Sequence, residues 1–302
     1  MCWRKTVELL KLCNTPVSII SPFPLFAVIL FLISHKEFQI SDLYILFAGI
    51  IVSLFSNFGS NLWNHSNDIK EDIAQGRKTV LIQDILMQKR ALFISILLYA
   101  CSILLVFYLS NEFKRSIYIY FLIWSLVTWW YSDNLILKKV IGFRLKDHYI
   151  GELITYSIAW PMYTLSIWLI YSDLNIMGVM VAISLFFLSI SGLLLKDLKD
   201  ISGDRAAGLK TFGVVFPPSQ LIRYSCYLMV LYYLVILNPF ALNIFGTGVL
   251  ILVIPFVHFL KKTFFHMRKK HWALDIEDLE SLKSMGNSAL ASFIFMGLSV
   301  FL

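Results

Sequence analysis

Nine runs of predominantly apolar residues constrain this chain more than any other feature; they lie near residues 17–34, 43–63, 91–110, 116–131, 150–171, 176–195, 221–238, 240–260 and 286–302. A helix needs about 17 to 25 such residues to cross a hydrocarbon core of about 30 Å. Inside lipid the peptide groups have no water to bond, so a crossing segment must satisfy its own N–H and C=O groups, as a helix does. With 58% hydrophobic and only 15% charged residues, the 302-residue chain is too apolar for a soluble domain of its size. It reads as an all-α integral membrane protein, one membrane-embedded domain over residues 1–302 with nine transmembrane helices.

A net charge of +7 would suggest a nucleic-acid partner in a soluble protein, but here the distribution argues for topology instead. With the N-terminus in the cytoplasm, 23 of the 26 Lys and Arg residues fall on the inner segments, and only Lys36, Lys114 and Arg115 fall outside. This is the bias of the positive-inside rule. No nucleic-acid partner is expected. The first run is too long for a removable signal peptide and lacks a small-residue cleavage site, so it is read as a retained span. Residues 1–15 have the pattern of an amphipathic surface helix, and the four cysteines show no paired spacing. The tryptophans at 129 and 130 suit an interfacial belt, and residues 261–285, basic first and acidic afterwards, suit a solvated cytoplasmic loop, with helix as an open alternative.

Two polar stretches interrupt this apolar pattern, and they match. Residues 64–79, NHSNDIKEDIAQGRKT, return 132 positions later as residues 196–211, KDLKDISGDRAAGLKT. Asp68 pairs with Asp200, Asp72 with Asp204, Gly76 with Gly208, Lys78 with Lys210 and Thr79 with Thr211, without a gap. Both copies read D-x-x-x-D-x-x-x-G-x-K-T, and four apolar runs separate them, so both emerge on the same, cytoplasmic, side. A parallel internal duplication accounts for this. In the first copy Asn57, Asn61, Asn64, Asp68 and Asp72 form one polar stripe on an otherwise apolar helix. Such groups at membrane depth normally face a bundle interior or a wet cavity, although helix-to-helix bonding is the plainer use of Asn57 and Asn61.

Carboxylates four residues apart share a helix face. Two such pairs converging on one pocket repel each other unless cations sit between them, and hard oxygen donors select Mg²⁺ or Mn²⁺. Mg²⁺ fills its shell with water and substrate phosphate, and Arg77, Lys78, Arg205 and Lys210 stand ready to neutralise the remaining phosphate charge. Acids at the cytoplasmic ends of apolar helices suit a molecule with a diphosphate head and a hydrocarbon tail. Prenyl diphosphates are such molecules, and aromatic rings stabilise the allylic cation left when the diphosphate departs.

These residues resemble the UbiA-type intramembrane prenyltransferases. The first signature of that family appears as Asn64-His65-x-x-Asp68-x-x-x-Asp72 and the second as Asp197-x-x-Asp200-x-x-x-Asp204, continuing to Gly208-x-Lys210-Thr211. The intermediate Tyr131 to Lys139 loop and Gly151-Glu152 extend the likeness. The resemblance implies a nine-helix bundle around a central cavity and Mg²⁺-dependent transfer of a prenyl chain to an aromatic or lipid acceptor. It implies that Asp68, Asp72, Asp200 and Asp204 hold the metal, assisted by Asn64 and Asp197. Arg77, Lys78, Tyr131, Lys138 or Lys139, Arg205 and Lys210 are then the candidates for the diphosphate. Two positions depart from the family: His65 stands where Asp is usual, and is read as a non-ligand, and Thr15-Pro16 replaces an Arg-Pro pair.

A multi-pass transporter is the alternative from another class, but transporters place their acids near the bilayer midplane rather than at helix ends beside Lys and Arg. A CDP-alcohol phosphotransferase needs Gly after the second Asp of a D-x-x-D, where this chain has Ile201.

Overall fold

A computed structural model describes residues 2–13, 23–35, 39–74, 76–241, 246–275 and 278–302, with the side chains of residues 2–4, 23, 200 and 239–241 also outside the description. The described residues contain helices and no β-strand. In chain order they form α1 (Cys2–Cys13), α2 (Phe23–Ser34), α3 (Leu43–Asn67), α4 (Ile69–Ala74), α5 (Val80–Gln83), α6 (Ile85–Phe113), α7 (Ile117–Ser132) and α8 (Leu137–Ile141). Then follow α9 (Tyr149–Tyr171), α10 (Ile176–Ala206), α11 (Phe212–Val215), α12 (Pro218–Ala241), α13 (Val253–Phe259), α14 (Phe265–Lys269) and α15 (Leu279–Leu298).

Seven helical stretches are long and apolar enough to cross a membrane: Ile40–Asn67, Ile85–Phe113, Tyr149–Tyr171, Ile176–Lys199, Pro218–Asn238, Thr247–Lys269 and Leu279–Phe301. Pro24–Ser34 and Ile117–Ser132, which coincide with the first and fourth apolar runs, are shorter. Large apolar side chains such as Phe93, Leu104, Leu126 and Ile254 stay exposed on the outside of the bundle. A bundle in water would hide them, whereas lipid tails accept them.

Local chemistry sets where the helices begin. The Asp84 carboxylate accepts the Leu86 and Met87 N–H groups at 2.9 and 3.2 Å, and Asn175 Oδ1 accepts the Gly178 N–H at 3.0 Å. Each satisfies donors that a helix start leaves unpaired. Helices α3 and α6, α7 and α9, and α9, α10 and α12 pack as close neighbours around one apolar core. Serines tie the helices across this core: Ser95 Oγ donates to Gly59 O at 2.7 Å, and the Ser191 and Ser225 hydroxyls bond each other at 3.0 Å. Hydrogen bonds of this kind supply adhesion where lipid removes the hydrophobic drive between helices.

The amphipathic N-terminal segment is a helix with a definite seat. Leu9 and Cys13 pack with Leu62, Val80, Leu81 and Met87, so α1 lies against α3, α5 and α6, and Lys5 Nζ reaches Asp84 Oδ2 at 2.6 Å. One sequence expectation is corrected. Trp129 is no belt residue: it stacks on Trp63 with centroids 3.7 Å apart and donates its indole N–H to Asp133, so it is part of the bundle. Segment 261–285 is partly helical, as the sequence allowed: helix continues to Lys269 and resumes at Leu279. The turn between them closes on buried Asp278, which takes His266 Nε2 at 2.8 Å, Lys270 Nζ at 3.0 Å and the Asp275 N–H at 2.9 Å.

Candidate active site

Both motif copies fold the same way, down to the hydrogen bonds that end the helix. In the first, Gly76 adopts a φ of 69°, its N–H bonds Ile73 O at 3.0 Å, and the Arg77 N–H bonds Asp72 O at 2.9 Å. In the second, Gly208 has a φ of 76°, its N–H bonds Arg205 O at 3.1 Å, and the Leu209 N–H bonds Asp204 O at 2.9 Å. This is a left-handed glycine cap, which needs a residue without a Cβ. Thr79 and Thr211 are then both extended and precede the four-residue helices α5 and α11. The spacing D-x-x-x-G-x-K-T therefore encodes one conformation twice: acid in the last helical turn, glycine cap, short helix.

The copies differ in what holds the acid. Arg77 Nη1 donates to Asp72 Oδ1 at 3.0 Å, whereas the Thr211 hydroxyl donates to Asp204 Oδ2 at 2.9 Å. Asp197 Oδ2 accepts the Phe212 N–H at 3.0 Å and so caps α11, a task for which its counterpart His65 has no carboxylate. The first copy also breaks between α3 and α4 at Asp68, while the matching stretch of α10 is continuous.

Asp68 and Asp72 from the first copy and Asp204 from the second line a single cavity of about 290 Å³. Asn57, Asn61, Asn64 and His65 continue the polar wall, and Trp124, Tyr131, Tyr156, Trp160 and Tyr163 form the aromatic remainder. Tyr163, on the cavity wall and buried in the core, bonds Ser53 and Ser56 through its hydroxyl at 3.0 and 2.9 Å, and its ring lies 5.0 Å from that of Trp124. Asn64 Oδ1 accepts a short hydrogen bond from Ser132, and Asn61 Nδ2 donates to Cys13 O at 2.7 Å, tying α1 to α3.

Among the residues singled out from sequence, Asn64, Asp68, Asp72, Arg77, Tyr131 and Asp204 meet at this cavity. Asp197, Lys78, Lys138, Lys139, Arg205 and Lys210 are not among its lining residues. Lys78, Lys139, Arg205 and Lys210 are exposed, and Lys138 lies 3.7 Å from Asp147. The Lys210 backbone instead docks a loop, accepting the Tyr149 N–H at 2.8 Å and donating to Asp147 O at 3.1 Å. The Asp200 side chain, Thr15 and Pro16 lie outside the described residues.

The loop that Lys210 anchors carries basic residues that the motif reading missed. Lys146 lines the cavity with its Nζ 2.5 Å from Asp68 Oδ1, and the buried Arg144 donates to Glu71 Oε1 at 2.6 Å. Arg144 also holds Asp147 at 2.6 Å and approaches Asp68 to 3.8 Å. Gly151 lets this loop lie on α9, since a Cβ there would stand 2.1 Å from Leu145 O. Deeper in, the Tyr131 hydroxyl donates to Glu152 Oε1 at 3.2 Å and Lys196 Nζ stands 3.5 Å from the same oxygen. The signals were present as Arg-x-Lys-Asp before Gly151-Glu152 and as Glu71 beside Asp72. Only the fold brings them to the acids.

Charge around the acids is uneven. Burial alone would raise the Glu71 carboxyl, but Lys146 and Arg144 outweigh it and hold it below its ordinary value. Burial raises the Asp72 carboxyl above its ordinary value, and Arg77 and His65 only partly offset this. Asp72 thus lies where further positive charge would be stabilised. Among the described residues no three His, Cys, Asp or Glu groups stand close enough to enclose an ion unaided. Carboxylates spread over one cavity suit an ion that takes the rest of its shell from water and substrate oxygens.

The described residues thus form a helical bundle that presents acids of both motif copies and basic side chains to one aromatic-walled cavity. The UbiA prenyltransferase family matches residues 21–275, and the chain belongs to it. An uncharacterized protein of Archaeoglobus fulgidus is 30% identical over 291 residues, 95% of this chain and 96% of that protein. Among solved structures, one described as a digeranylgeranylglyceryl phosphate synthase in membranes superposes with a TM-score of 0.68 at 18% identity, covering 99% of both chains. A UbiA homologue of Archaeoglobus fulgidus bound to DMAPP and Mg²⁺ superposes with a TM-score of 0.56 at 17% identity, covering 96% of this chain and 86% of that one.

Proposed function

We propose that this protein transfers a prenyl chain from a polyprenyl diphosphate to a small aromatic or lipid acceptor inside the membrane. The observation that carries this is the meeting of Asp68 and Asp72 with Asp204 on one cavity whose other wall is aromatic. Family membership and the DMAPP and Mg²⁺ bound by a relative of similar fold support it. Asp68, Asp72, Asp200 and Asp204, with Asn64, would hold Mg²⁺ or Mn²⁺, and the ions supply charge neutralisation for the departing diphosphate.

The remaining work falls to the chain. Arg77 and Lys146, the two basic groups beside Asp72 and Asp68, take the phosphate oxygens, with Arg144 positioning Glu71 and the loop behind them. Trp124, Tyr131, Tyr156, Trp160 and Tyr163 hold the first part of the prenyl chain, keep water from the carbon that loses diphosphate, and offer ring faces to its developing charge. Asp197 acts through the α11 cap that sets Thr211 on Asp204. The two shorter helices, Pro24–Ser34 and Ile117–Ser132, also cross, making nine spans in one domain with both motifs in the cytoplasm.

Purified protein supplied with radiolabelled prenyl diphosphates, Mg²⁺ and a panel of aromatic and lipid acceptors should form a prenylated product. Asp68→Ala and Asp204→Ala should each lower turnover at least about 10²-fold, the scale of losing a charge-stabilising group. EDTA should abolish it. Undiminished product from either variant, or activity that survives complete metal removal, overturns the assignment.

A further inference from the structure

A second concave site lies away from the cavity, lined by Lys261, Phe265, Arg268, Lys269 and His271. Its backbone is unusual at both ends. Leu260–Phe264 is a π-helical turn between α13 and α14, a rare element that changes which side chains share a face. After Lys269 two consecutive non-glycine residues, His271 and Trp272, take left-handed φ values of 52° and 66°. Such conformations cost free energy and persist only where the surroundings hold them. Here Trp272 is the anchor: it is buried against Phe264 and Tyr227, with ring centroids 5.7 and 5.8 Å away, and its N–H bonds Met267 O at 2.8 Å. The turn returns His271 to the hollow that Lys261 enters from the preceding helical turns.

The charges are sorted. His266 and Lys270 turn to Asp278 at 2.8 and 3.0 Å, and Lys270 also lies 3.5 Å from Asp275. Lys261, Arg268 and Lys269 have no carboxylate partner among the described residues, and no acid is among the residues lining their hollow. Two lysines, an arginine and a histidine thus surround the ring of Phe265, which is 47% exposed. Towards the bundle middle the same helix presents Val257 and Ile254, 39% and 61% exposed, four and seven residues before Lys261 and so near it in helical phase. A basic head above an apolar strip matches a phosphate group above an acyl chain and not a free anion.

We propose that this hollow binds the phosphate headgroup of an anionic phospholipid whose acyl chain lies along Val257 and Ile254. Positive-inside bias explains how many basic residues sit at this end of the bundle, but not their gathering into one hollow that no acid lines among the described residues and that a π turn and two left-handed residues shape.

The test uses the full chain in nanodiscs of phosphatidylcholine with and without phosphatidylglycerol, read by thermal unfolding and by lipid retained in native mass spectrometry. Arg268→Gln/Lys269→Gln is compared with Lys89→Gln/Arg90→Gln, which removes equal charge from exposed positions on α6. Phosphatidylglycerol should raise the melting temperature of the wild type and the α6 variant by about 2–4 °C and leave one retained lipid. The gain and the retained lipid should be lost in Arg268→Gln/Lys269→Gln. If that variant melts early in phosphatidylcholine alone, Lys261→Gln supplies the same comparison. Equal losses in both double variants, no lipid effect on the wild type, or equal stabilisation by soluble glycerol phosphate would overturn the proposal.

Discussion

Arg144 touches three carboxylates, Glu71 and Asp147 at 2.6 Å each and Asp68 at 3.8 Å, while its own side chain is 3% exposed. A guanidinium forks between two acids as an ammonium does not. Its removal would leave Glu71 and Asp147 without their closest cation. Arg144→Ala should therefore destabilise the protein by about 3 kcal/mol, the cost of stripping one partner from a buried ion pair, and Arg144→Lys should recover only part. Thermal unfolding in detergent checks both; an Arg144→Ala protein that melts with the wild type would show that the network contributes nothing to the fold. Lys146 differs in kind. It sits on Asp68 at the cavity wall, so its loss should be read in substrate affinity before stability.

At the scale of the element, the repeated unit is a helix terminus rather than a pair of acids. The glycine caps at Gly76 and Gly208 turn the chain so that Thr79 and Thr211 start α5 and α11, and the second of these threonines reaches back to Asp204. Among the described residues beyond its chain neighbours, nothing lies within 4 Å of where a Cβ would stand at either glycine, so a substitution meets only the backbone penalty. Gly76→Ala and Gly208→Ala should each cost about 1–2 kcal/mol, with Asn at either place milder because it tolerates the left-handed region. Unfolding measurements on the four variants check this. Equal stability of Ala and Gly at both positions would mean that the caps are not held in the molecule.

At the scale of the whole molecule, the helices bring the ends of α3, α7 and α10 and the start of α9 to one cavity, and α1 and α5 pack beside them. The charge bias along the chain predicts that this face is cytoplasmic. Single cysteines placed at Lys78 and Lys283 in a cysteine-free background should react with an impermeant maleimide from one side of the membrane, and one at Lys114 from the other. Labelling of all three from the same side would break the alternation of spans on which the nine-helix reading rests.

The helical class and the membrane follow from the sequence alone, because runs of apolar residues in lipid leave the backbone few ways to satisfy its hydrogen bonds. The duplicated acids were also legible, since a repeat at one offset needs no knowledge of contacts. What only the tertiary structure decided was which charges act together. Lys138, Lys139, Arg205 and Lys210 looked as suitable for a phosphate as any basic residue near the motifs, yet they lie outside the cavity lining, while Lys146 enters it from a loop 78 positions beyond Asp68. Asp197 reads as one more acid of a cluster, and only the fold shows that it also caps α11. The reason is physical: a local pattern fixes a residue's helix face, but the partner across the gap is set by packing, and charge depends on the partner.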